Sequence, residues 1–446
     1  RIFSLCVSVL ILSCVTTLAA EPVSEGERER VGLVLSGGAA RGLTHIGVLK
    51  SLEEQGVILD AITGTSMRAV ISGLYAEGYT VAELEQLATE LDWQQALSDA
   101  PPREDIPFRR KQDDRDFLVK QKLSFRDDGS LGLPLGVLQG QNLALLLEKL
   151  FARAGAVEDF DQLPIPFRAV AADIATGETV VFSAGHLALA VRASMSIPAV
   201  LTPVEIDGRL LVDGGISNNI PVDIARQMGV DRVIVVDIGS PLAATESLQT
   251  VFHILNQSVA LLTRRNSEAQ LATLQAQDIL VQPPLAGFGV TDFSRAQDMI
   301  DTGYRATQSL QWRFADVAQP LPEQKKIASN TKKMKKAPLI TSIKVRNTSK
   351  VGDEVIRYYI RQPLNEPLDI EKLQKDMGTL YGLEYFERVE DRLQPQKGGN
   401  ALVIRATDKR SGTDYLRLGL NLSDDLRGDS VFNIGASFRM NGINRL

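Results

Sequence analysis

Cysteine and histidine are both scarce in this chain of 446 residues, which contains two cysteines and three histidines. Both cysteines, Cys6 and Cys14, lie in the first segment, so a chain that loses this segment cannot form a disulfide. A surplus of basic side chains is also lacking, because 49 basic residues stand against 55 acidic ones, with a formal net charge of −6. This balance gives no support to nucleic-acid binding.

The first 20 residues combine a basic start, a short apolar run and small residues before Glu21. This order is typical of a secretory signal peptide, so we predict a signal peptide at 1–20 and a linker at 21–30. The apolar run is too short for a transmembrane helix, which needs about 20 apolar residues. Because a signal peptide directs secretion, we expect an exported protein. A buried or anchoring helix is the alternative interpretation of residues 1–20.

Between residues 31 and 317, short apolar runs alternate with helical patterns. The runs that predict strands lie at 31–35, 60–64, 167–172, 210–213, 232–237 and 279–281. Strands that alternate with helices predict an α/β domain with a mainly parallel central sheet. Ligands of such sheets collect at the carboxyl ends of the strands, where the motifs described next are found.

A glycine loop follows the first predicted strand, because residues 36–42 read Ser-Gly-Gly-Ala-Ala-Arg-Gly before a predicted helix. Glycines let backbone N–H groups turn outward, and together with a helix start they form an anion site. The loop is not a P-loop, since no Gly-Lys-Ser/Thr follows, and it lacks the spacing of a dinucleotide loop.

Two further motifs place a hydroxyl and a carboxylate at the ends of predicted strands. Ser66 lies in Gly-Thr-Ser-Met at 64–67, between a strand and a helix, as in a nucleophile elbow. Asp213 ends another strand and is followed by two glycines. A carboxylate there can accept the proton of a serine hydroxyl if the fold brings the two groups together.

Histidine, the usual general base, is represented only by His45, His186 and His253. His45 falls on an apolar-patterned helix, His186 in a turn and His253 in a late helix. Capping, packing or surface roles are favoured for all three. Asp213 is therefore the stronger candidate for the base.

These three motifs, in this order, resemble the patatin-like phospholipase family over residues 31–312, and the Ala-Ser-Met-Ser-Ile-Pro stretch at 193–198 adds to the similarity. The resemblance implies a three-layer α/β fold that cleaves ester-linked acyl chains from membrane phospholipids or other acyl-lipid esters. It implies that Ser66 attacks the acyl carbonyl, that Asp213 takes the proton and that no metal or other cofactor is needed.

The resemblance also assigns supporting roles within the motifs. The oxyanion hole would be formed by the backbone N–H groups of Gly37, Gly38 and Ala39. The residues that would support the motifs are Arg41, Gly42, Gly64, Gly214 and Gly215.

Two residues depart from the family pattern. Ala39 stands where the family usually has a third glycine, and we expect its methyl group to be tolerated. Arg68 stands two residues after the nucleophile, where the family has glycine. A long side chain there must find room or displace the elbow, so we expect Arg68 to lower activity. A fold that binds lipid or a partner without turnover is the alternative function.

The remainder of the chain predicts further units. Residues 318–338 are rich in lysine and proline and predict a linker, or alternatively a contact with anionic lipid headgroups. Residues 339–408 predict a strand, two helices and a hairpin. Residues 413–446 alternate as outer-membrane barrel strands do, although an ordinary hairpin remains the alternative.

This order of units resembles patatin-type autotransporters. By that resemblance, 339–408 would be a polypeptide-transport-associated (POTRA) domain and 413–446 the first strands of a barrel. The protein would then be attached to the bacterial outer membrane, with the first domain periplasmic or at the cell surface. The resemblance also allows a homodimer. A third function would place transport or assembly activity in 339–446.

Overall fold

The computed structural model describes residues 28–100, 111, 122–126, 128–132, 134–154, 157–239, 242–318, 337–424 and 430–440. The predicted signal peptide at 1–20 lies outside the described residues, as do 21–27 of the first linker and 319–336 of the second.

The first unit is built on a mixed β-sheet with short strands around it. Its strands are β1 (Val31–Leu35), β2 (Ala61–Thr65), β3 (Lys122–Phe125), β4 (Leu131–Gly132), β5 (Gly136–Leu138), β6 (Phe167–Asp173), β7 (Thr179–Phe182), β8 (Ala199–Leu201), β9 (Val204–Ile206), β10 (Arg209–Asp213), β11 (Arg232–Val236) and β12 (Ile279–Val281). The six predicted strands are confirmed to within one residue at each end. The short strands β3–β5 and β7–β9 escaped prediction.

The central sheet contains eight of these strands. Strands β12, β11, β1, β2 and β6 pair in this order and run parallel. Strands β7, β10 and β9 are antiparallel to their partners. The expectation of a mainly parallel sheet is therefore corrected to a mixed sheet.

A tight turn explains why the strand that ends in Asp213 runs antiparallel. Asp207 and Gly208 join β9 to β10 and have φ angles of 51° and 76°. An Asp-Gly pair with two positive φ angles forms the turn that matches the twist of a β-hairpin. The chain therefore reverses at this pair, and β10 returns against β9 and β6 instead of crossing over a helix.

Strand β6 brings two strand ends together. One edge of β6 pairs with β7 at residues 169–172. The other edge pairs first with β2, where Thr65 lies opposite Val170, and then with β10, where Asp213 lies opposite Ala171. Because β2 is parallel to β6 and β10 is antiparallel, their carboxyl ends point at each other and meet between Val170 and Ala171.

Helices cover both faces of the sheet. They are α1 (Thr44–Glu54), α2 (Met67–Glu77), α3 (Val81–Glu90), α4 (Trp93–Ala96), α5 (Gln141–Leu150), α6 (Leu187–Ser194), α7 (Val222–Gln227), α8 (Val251–Leu271), α9 (Ala296–Gln308) and α10 (Gln311–Phe314). Successive side chains of β1 enter different cores, because Leu33 and Leu35 pack with α1, α2 and α9 while Val34 packs with α7.

The second unit follows the order that the sequence predicts. It contains β13 (Leu339–Asn347), α11 (Asp353–Tyr359), β14 (Glu366–Pro367), α12 (Ile370–Tyr381), β15 (Phe386–Gln396) and β16 (Gly399–Asp408). The sheet order is β14-β13-β16-β15, over a separate core. The side chain of Gln141 on α5 pairs with both backbone groups of Val389 on β15, at 2.7 and 3.0 Å.

A hairpin ends the described chain. Strand β17 (Asp414–Asp424) pairs with β18 (Ser430–Arg439) and also, antiparallel, with β3 of the first unit. The assignment of 339–408 to a POTRA domain and of 413–446 to a barrel stays a prediction.

Glycine permits the close contact between α1 and α9. A Cβ atom on Gly303 would overlap the carbonyl oxygen of Thr44, and one on Gly47 would overlap that of Ile300. We expect Gly303→Ala to lower the free energy of unfolding by about 1–3 kcal/mol, as overpacking of a core does. Denaturant unfolding measures this loss. Arg305→Ala on the exposed face of α9 is the control, and an equal effect of both changes would contradict the close packing.

Candidate active site

Ser66 lies at the turn between β2 and α2, in a strained backbone conformation. Its φ and ψ are 66° and −142°, outside the regions that residues other than glycine usually adopt. Such conformations cost about 1–3 kcal/mol and persist where the surroundings hold them. Here the Ser66 N–H donates to Ser194 Oγ at 2.9 Å, and Ser194 Oγ donates to the carbonyl of Val170 at 2.6 Å. Ser66 thus lies on a strand-to-helix turn of the kind that a nucleophile elbow requires, and the residue is 5% exposed.

Asp213 faces Ser66 across the meeting point of β2 and β10. Ser66 Oγ donates to Asp213 Oδ2 at 2.5 Å, and the Gly215 N–H donates to Asp213 Oδ1 at 2.8 Å. Burial raises the pKa of the Asp213 carboxyl above its ordinary value, while both hydrogen bonds and the positive charge of Arg68 act to lower it. The structure therefore brings together the two residues that the sequence singled out.

The glycine loop passes above this pair, but its three N–H groups differ. The Gly37 N–H donates to Asn219 Oδ1 at 2.8 Å, so it is engaged inside the protein. Within the described chain, the N–H groups of Gly38 and Ala39 have no acceptor. The loop therefore offers two backbone donors to a ligand, where three were predicted.

Ala39 occupies a left-handed backbone conformation, with a φ of 47°. The lack of a third glycine thus matters through the backbone and less through the size of the methyl group. Left-handed conformations cost a residue with a Cβ about 1–2 kcal/mol.

Arg68 is fully buried beneath the glycine loop. Cβ atoms on Gly37 and Gly38 would lie 2.8 Å from its two terminal nitrogens, so the loop contacts the guanidinium only because these residues lack side chains. Its Nη1 donates to the Thr65 carbonyl at 3.4 Å, while Nε and Nη2 have no partner in the described structure. Burial lowers the pKa of this guanidinium well below its ordinary value, and Asp213 and Asp237 oppose that change.

Among the described hydrogen bonds, neither Ser66 nor Asp213 is bonded to a histidine. His45 is fully buried on α1, and burial followed by the nearby Arg68 charge lowers its pKa well below the ordinary value. His186 caps α6 by accepting from the Leu189 N–H at 3.3 Å. His253 lies in the first turn of α8 and accepts from the Gln249 N–H. Asp213 remains the candidate for the base.

The supporting residues of the motifs are placed by close packing. A Cβ atom on Gly64 would overlap Ser72 Oγ, and one on Gly214 would overlap the carbonyl of Val170. Gly42 packs against Met67, and Arg41 is buried in the 3₁₀ turn after the loop. Among the described residues, no three His, Cys, Asp or Glu side chains are grouped to hold a metal ion.

Asn219 and Ser194 have structural roles at the site, although neither stands out in the sequence as an individual candidate. Asn219 holds the glycine loop through its Oδ1, and its Nδ2 donates to Ser267 Oγ at 2.9 Å. Ser194 anchors the elbow. The only sequence signal for either was its proximity to a motif, because Asn219 follows the Asp-Gly-Gly triplet and Ser194 lies in the stretch at 193–198.

Comparison with known proteins agrees with this geometry. Residues 33–226, which include the loop, the elbow and Asp213, match the family model described as patatin-like phospholipase. An uncharacterized NTE family protein of Mycobacterium tuberculosis is 34% identical over 221 residues, which cover 49% of this chain and 52% of that protein. Human patatin-like phospholipase domain-containing protein 6 is 30% identical over 303 residues, which cover 62% of this chain and 20% of that protein.

A fungal relative, the lysophospholipase NTE1 of Pyricularia oryzae, is 27% identical over 62% of this chain and 18% of its own length. The chain thus spans about half of the mycobacterial relative and about a fifth of the human and fungal ones. Among solved structures, VipD from Legionella pneumophila matches 68% of this chain and 74% of its own, with 16% identity and a TM-score of 0.36. That score is too low to carry an argument. Over residues 33–226, this chain is therefore similar to the patatin-like phospholipase family.

Proposed function

We propose that this chain is a serine lipid acyl hydrolase of the phospholipase A type, with Ser66 as nucleophile and Asp213 as base. One observation carries the proposal, namely the 2.5 Å contact between Ser66 Oγ and Asp213 Oδ2 at a strained strand-to-helix turn. A lysophospholipase among the relatives agrees with lipid esters as the substrate class.

The geometry supports a two-step acyl transfer. Ser66 Oγ attacks the ester carbonyl while its proton passes to Asp213 Oδ2. The N–H groups of Gly38 and Ala39 stabilise the oxyanion of the tetrahedral intermediate. Asp213 returns the proton to the departing alcohol oxygen, which leaves an acyl-enzyme. Asp213 then accepts a proton from water, and hydrolysis releases the fatty acid and restores the Ser66 hydroxyl.

The buried guanidinium of Arg68 favours a second candidate function. It lies against the two glycines that carry the oxyanion loop, and two of its nitrogens are unpartnered among the described residues. A loop held in the wrong place by this side chain would bind lipid without useful turnover, since a displacement of about 1 Å can cost about 10²-fold in rate.

The location of the protein is proposed from the sequence. The signal-like residues 1–20 support export, and the strand–helix–helix–hairpin order of 339–408 supports a POTRA-like unit. We propose attachment to the outer membrane through barrel strands that begin at 413–446, with the first domain periplasmic or at the cell surface. Contact with membrane phospholipids is part of this proposal, and a homodimer is compatible with it.

Removal of either member of the pair tests the proposed mechanism. We expect Ser66→Ala and Asp213→Asn each to lower the turnover of p-nitrophenyl butyrate and of phosphatidylcholine by about 10³-fold or more, because the two groups act as one unit. His253→Ala is the control and retains the parental rate, since this histidine lies outside the site. Parental turnover by Ser66→Ala would refute the assignment of the nucleophile.

The ionisation of Asp213 predicts a pH dependence. Asp213 accepts a proton only as a carboxylate, so kcat/KM should fall as the pH drops through its pKa, which burial raises. The positive charge of Arg68 opposes that rise, so Arg68→Met should move the acidic limb of the profile to higher pH. Ester hydrolysis across the acidic range measures the limb. A limb that stays in place would show that the limiting group is not Asp213.

Two substitutions at Arg68 separate bulk from charge. Arg68→Gly removes both and should raise turnover by about tenfold or more, because the loop regains the space that glycine leaves in the family pattern. Arg68→Met removes the charge and keeps much of the volume, so we expect a smaller gain. Labelling of Ser66 by a fluorophosphonate provides a second measurement. Equal rates for the parent and Arg68→Gly would show that the side chain does not obstruct the site.

A further inference from the structure

Helix α8 exposes large apolar side chains along much of its length. Val251 is 74% exposed, Ile254 50%, Leu255 45%, Leu261 50% and Leu262 53%. Their spacing of three, one, six and one residues places all five on one face of the helix, over about a third of its circumference. We call these five residues the apolar stripe. Contiguous exposed apolar surface of this kind marks an interaction site.

The face of α8 that packs against the active site carries polar side chains and lies next to the stripe, because Asn266 follows Leu262 and Leu255 around the helix. Asn266 Nδ2 donates to the Gly215 carbonyl at 2.8 Å, and Asn266 Oδ1 accepts from the Asn219 N–H at 2.9 Å. Gln270 Oε1 accepts from the Asp223 N–H at 3.2 Å. A surface helix of a globular protein normally turns its apolar face inward. This helix turns most of its large apolar side chains outward, so burial within the described protein accounts for Leu271 but not for the five residues of the stripe.

The apolar stripe is continuous with the catalytic loops. Asn266 adjoins the stripe and donates to the carbonyl of Gly215, and the N–H of Gly215 donates to Asp213. On the glycine loop, the Ala40 N–H donates to the carbonyl of Val290, whose side chain is 48% exposed. Exposed apolar surface therefore adjoins both the loop of the base and the oxyanion loop.

Charge indicates what covers the stripe. Arg265 lies on the same face, between the positions of Ile254 and Leu262 around the helix. Arg264 beside it is paired with Glu268 at 2.8 Å, so Arg265 carries the charge argument. Arginine next to aliphatic side chains suits a surface whose phosphates lie above an acyl interior. None of the described helices is long and apolar enough to cross a membrane. A helix such as α8 would instead lie in the plane of the interface.

We propose that the apolar stripe of α8 docks the protein on the surface of a phospholipid bilayer and thereby brings Ser66 to its substrate. The inference rests on the proposed lipid hydrolase function. It adds a binding surface that is separate from the catalytic pair, because the five residues of the stripe lie on α8 while Ser66 and Asp213 lie at the carboxyl ends of β2 and β10.

Flotation of the full chain with vesicles tests the docking surface. The chain carries Ser66→Ala, so that binding is measured without chemistry, and the vesicles contain phosphatidylcholine with a minority of phosphatidylglycerol. We expect the Ser66→Ala chain to float with the vesicles. Adding Leu261→Gln and Leu262→Gln should lower its partition coefficient by about tenfold or more, since two aliphatic side chains no longer enter the interface. Glutamine keeps the helix intact.

Leu364→Gln is the matched control, because Leu364 is 45% exposed in the second unit, away from α8. It should leave the partition unchanged. In the chain with Ser66 intact, the double substitution should lower hydrolysis of vesicle phospholipid and spare that of soluble p-nitrophenyl butyrate. This comparison separates failed docking from failed chemistry. If the chain floats with the vesicles but the chain with Ser66 intact hydrolyses neither substrate, only the proposed function is refuted.

Two outcomes would overturn the docking proposal. One is an equal partition coefficient for the parent and the double variant. The other is a dimer, seen by light scattering of the lipid-free protein, that the double variant converts to monomer. In that case a second copy of the chain covers the stripe.

Discussion

The site depends on the meeting of two strand ends along one edge of β6. Thr65 lies opposite Val170 and Asp213 lies opposite Ala171, so β2 and β10 end against each other and direct Ser66 and Asp213 into the same space. The surrounding contacts act at this point too, because Ser194 bonds to Val170 and Gly214 packs on its carbonyl. The strained backbone conformation of Ser66 is thus held in place by the hydrogen-bonded strands β2, β6 and β10 and by Ser194.

Arg68 contributes to the electrostatics of this meeting point as well as to its packing. Its charge favours the carboxylate form of Asp213, which is the form that accepts a proton, but a base with a lower pKa accepts it less readily. The same guanidinium lies under the loop whose remaining free N–H groups belong to Gly38 and Ala39, as far as the described residues show. A single side chain therefore affects both the proposed base and the proposed oxyanion donors, and its two effects on rate need not have the same sign.

Local sequence was enough to predict the parallel core strands and to single out Ser66 and Asp213, whose side chains the fold brings within 2.5 Å of each other. Apolar runs predicted β1, β2, β6 and β11. The turn residues beside Ser66 and Asp213 marked the carboxyl ends of β2 and β10. The apolar run of β10 does not indicate the direction of the strand, which depends on the Asp207-Gly208 turn before it. The role of Asn219 could not be predicted, since its partner Gly37 lies 182 residues away and only the tertiary fold brings them together. Burial of the Arg68 guanidinium likewise depends on how closely the glycine loop packs on α2.

Helix α8 links the chemistry to the outer surface through one constraint. Its polar face must hold Gly215 and Asn219, because the carbonyl and N–H groups of these loops need partners once they are removed from water. A helix that meets this requirement with Asn266 exposes most of its large aliphatic residues on the neighbouring face, although Leu271 packs against the core. The apolar stripe is therefore fixed in orientation relative to Asp213 by the same hydrogen bonds that order the catalytic loop. Any surface that covers the stripe is held at a set angle to the Ser66 hydroxyl, so a change that loosens Asn266 should disturb both the loop and the docking geometry.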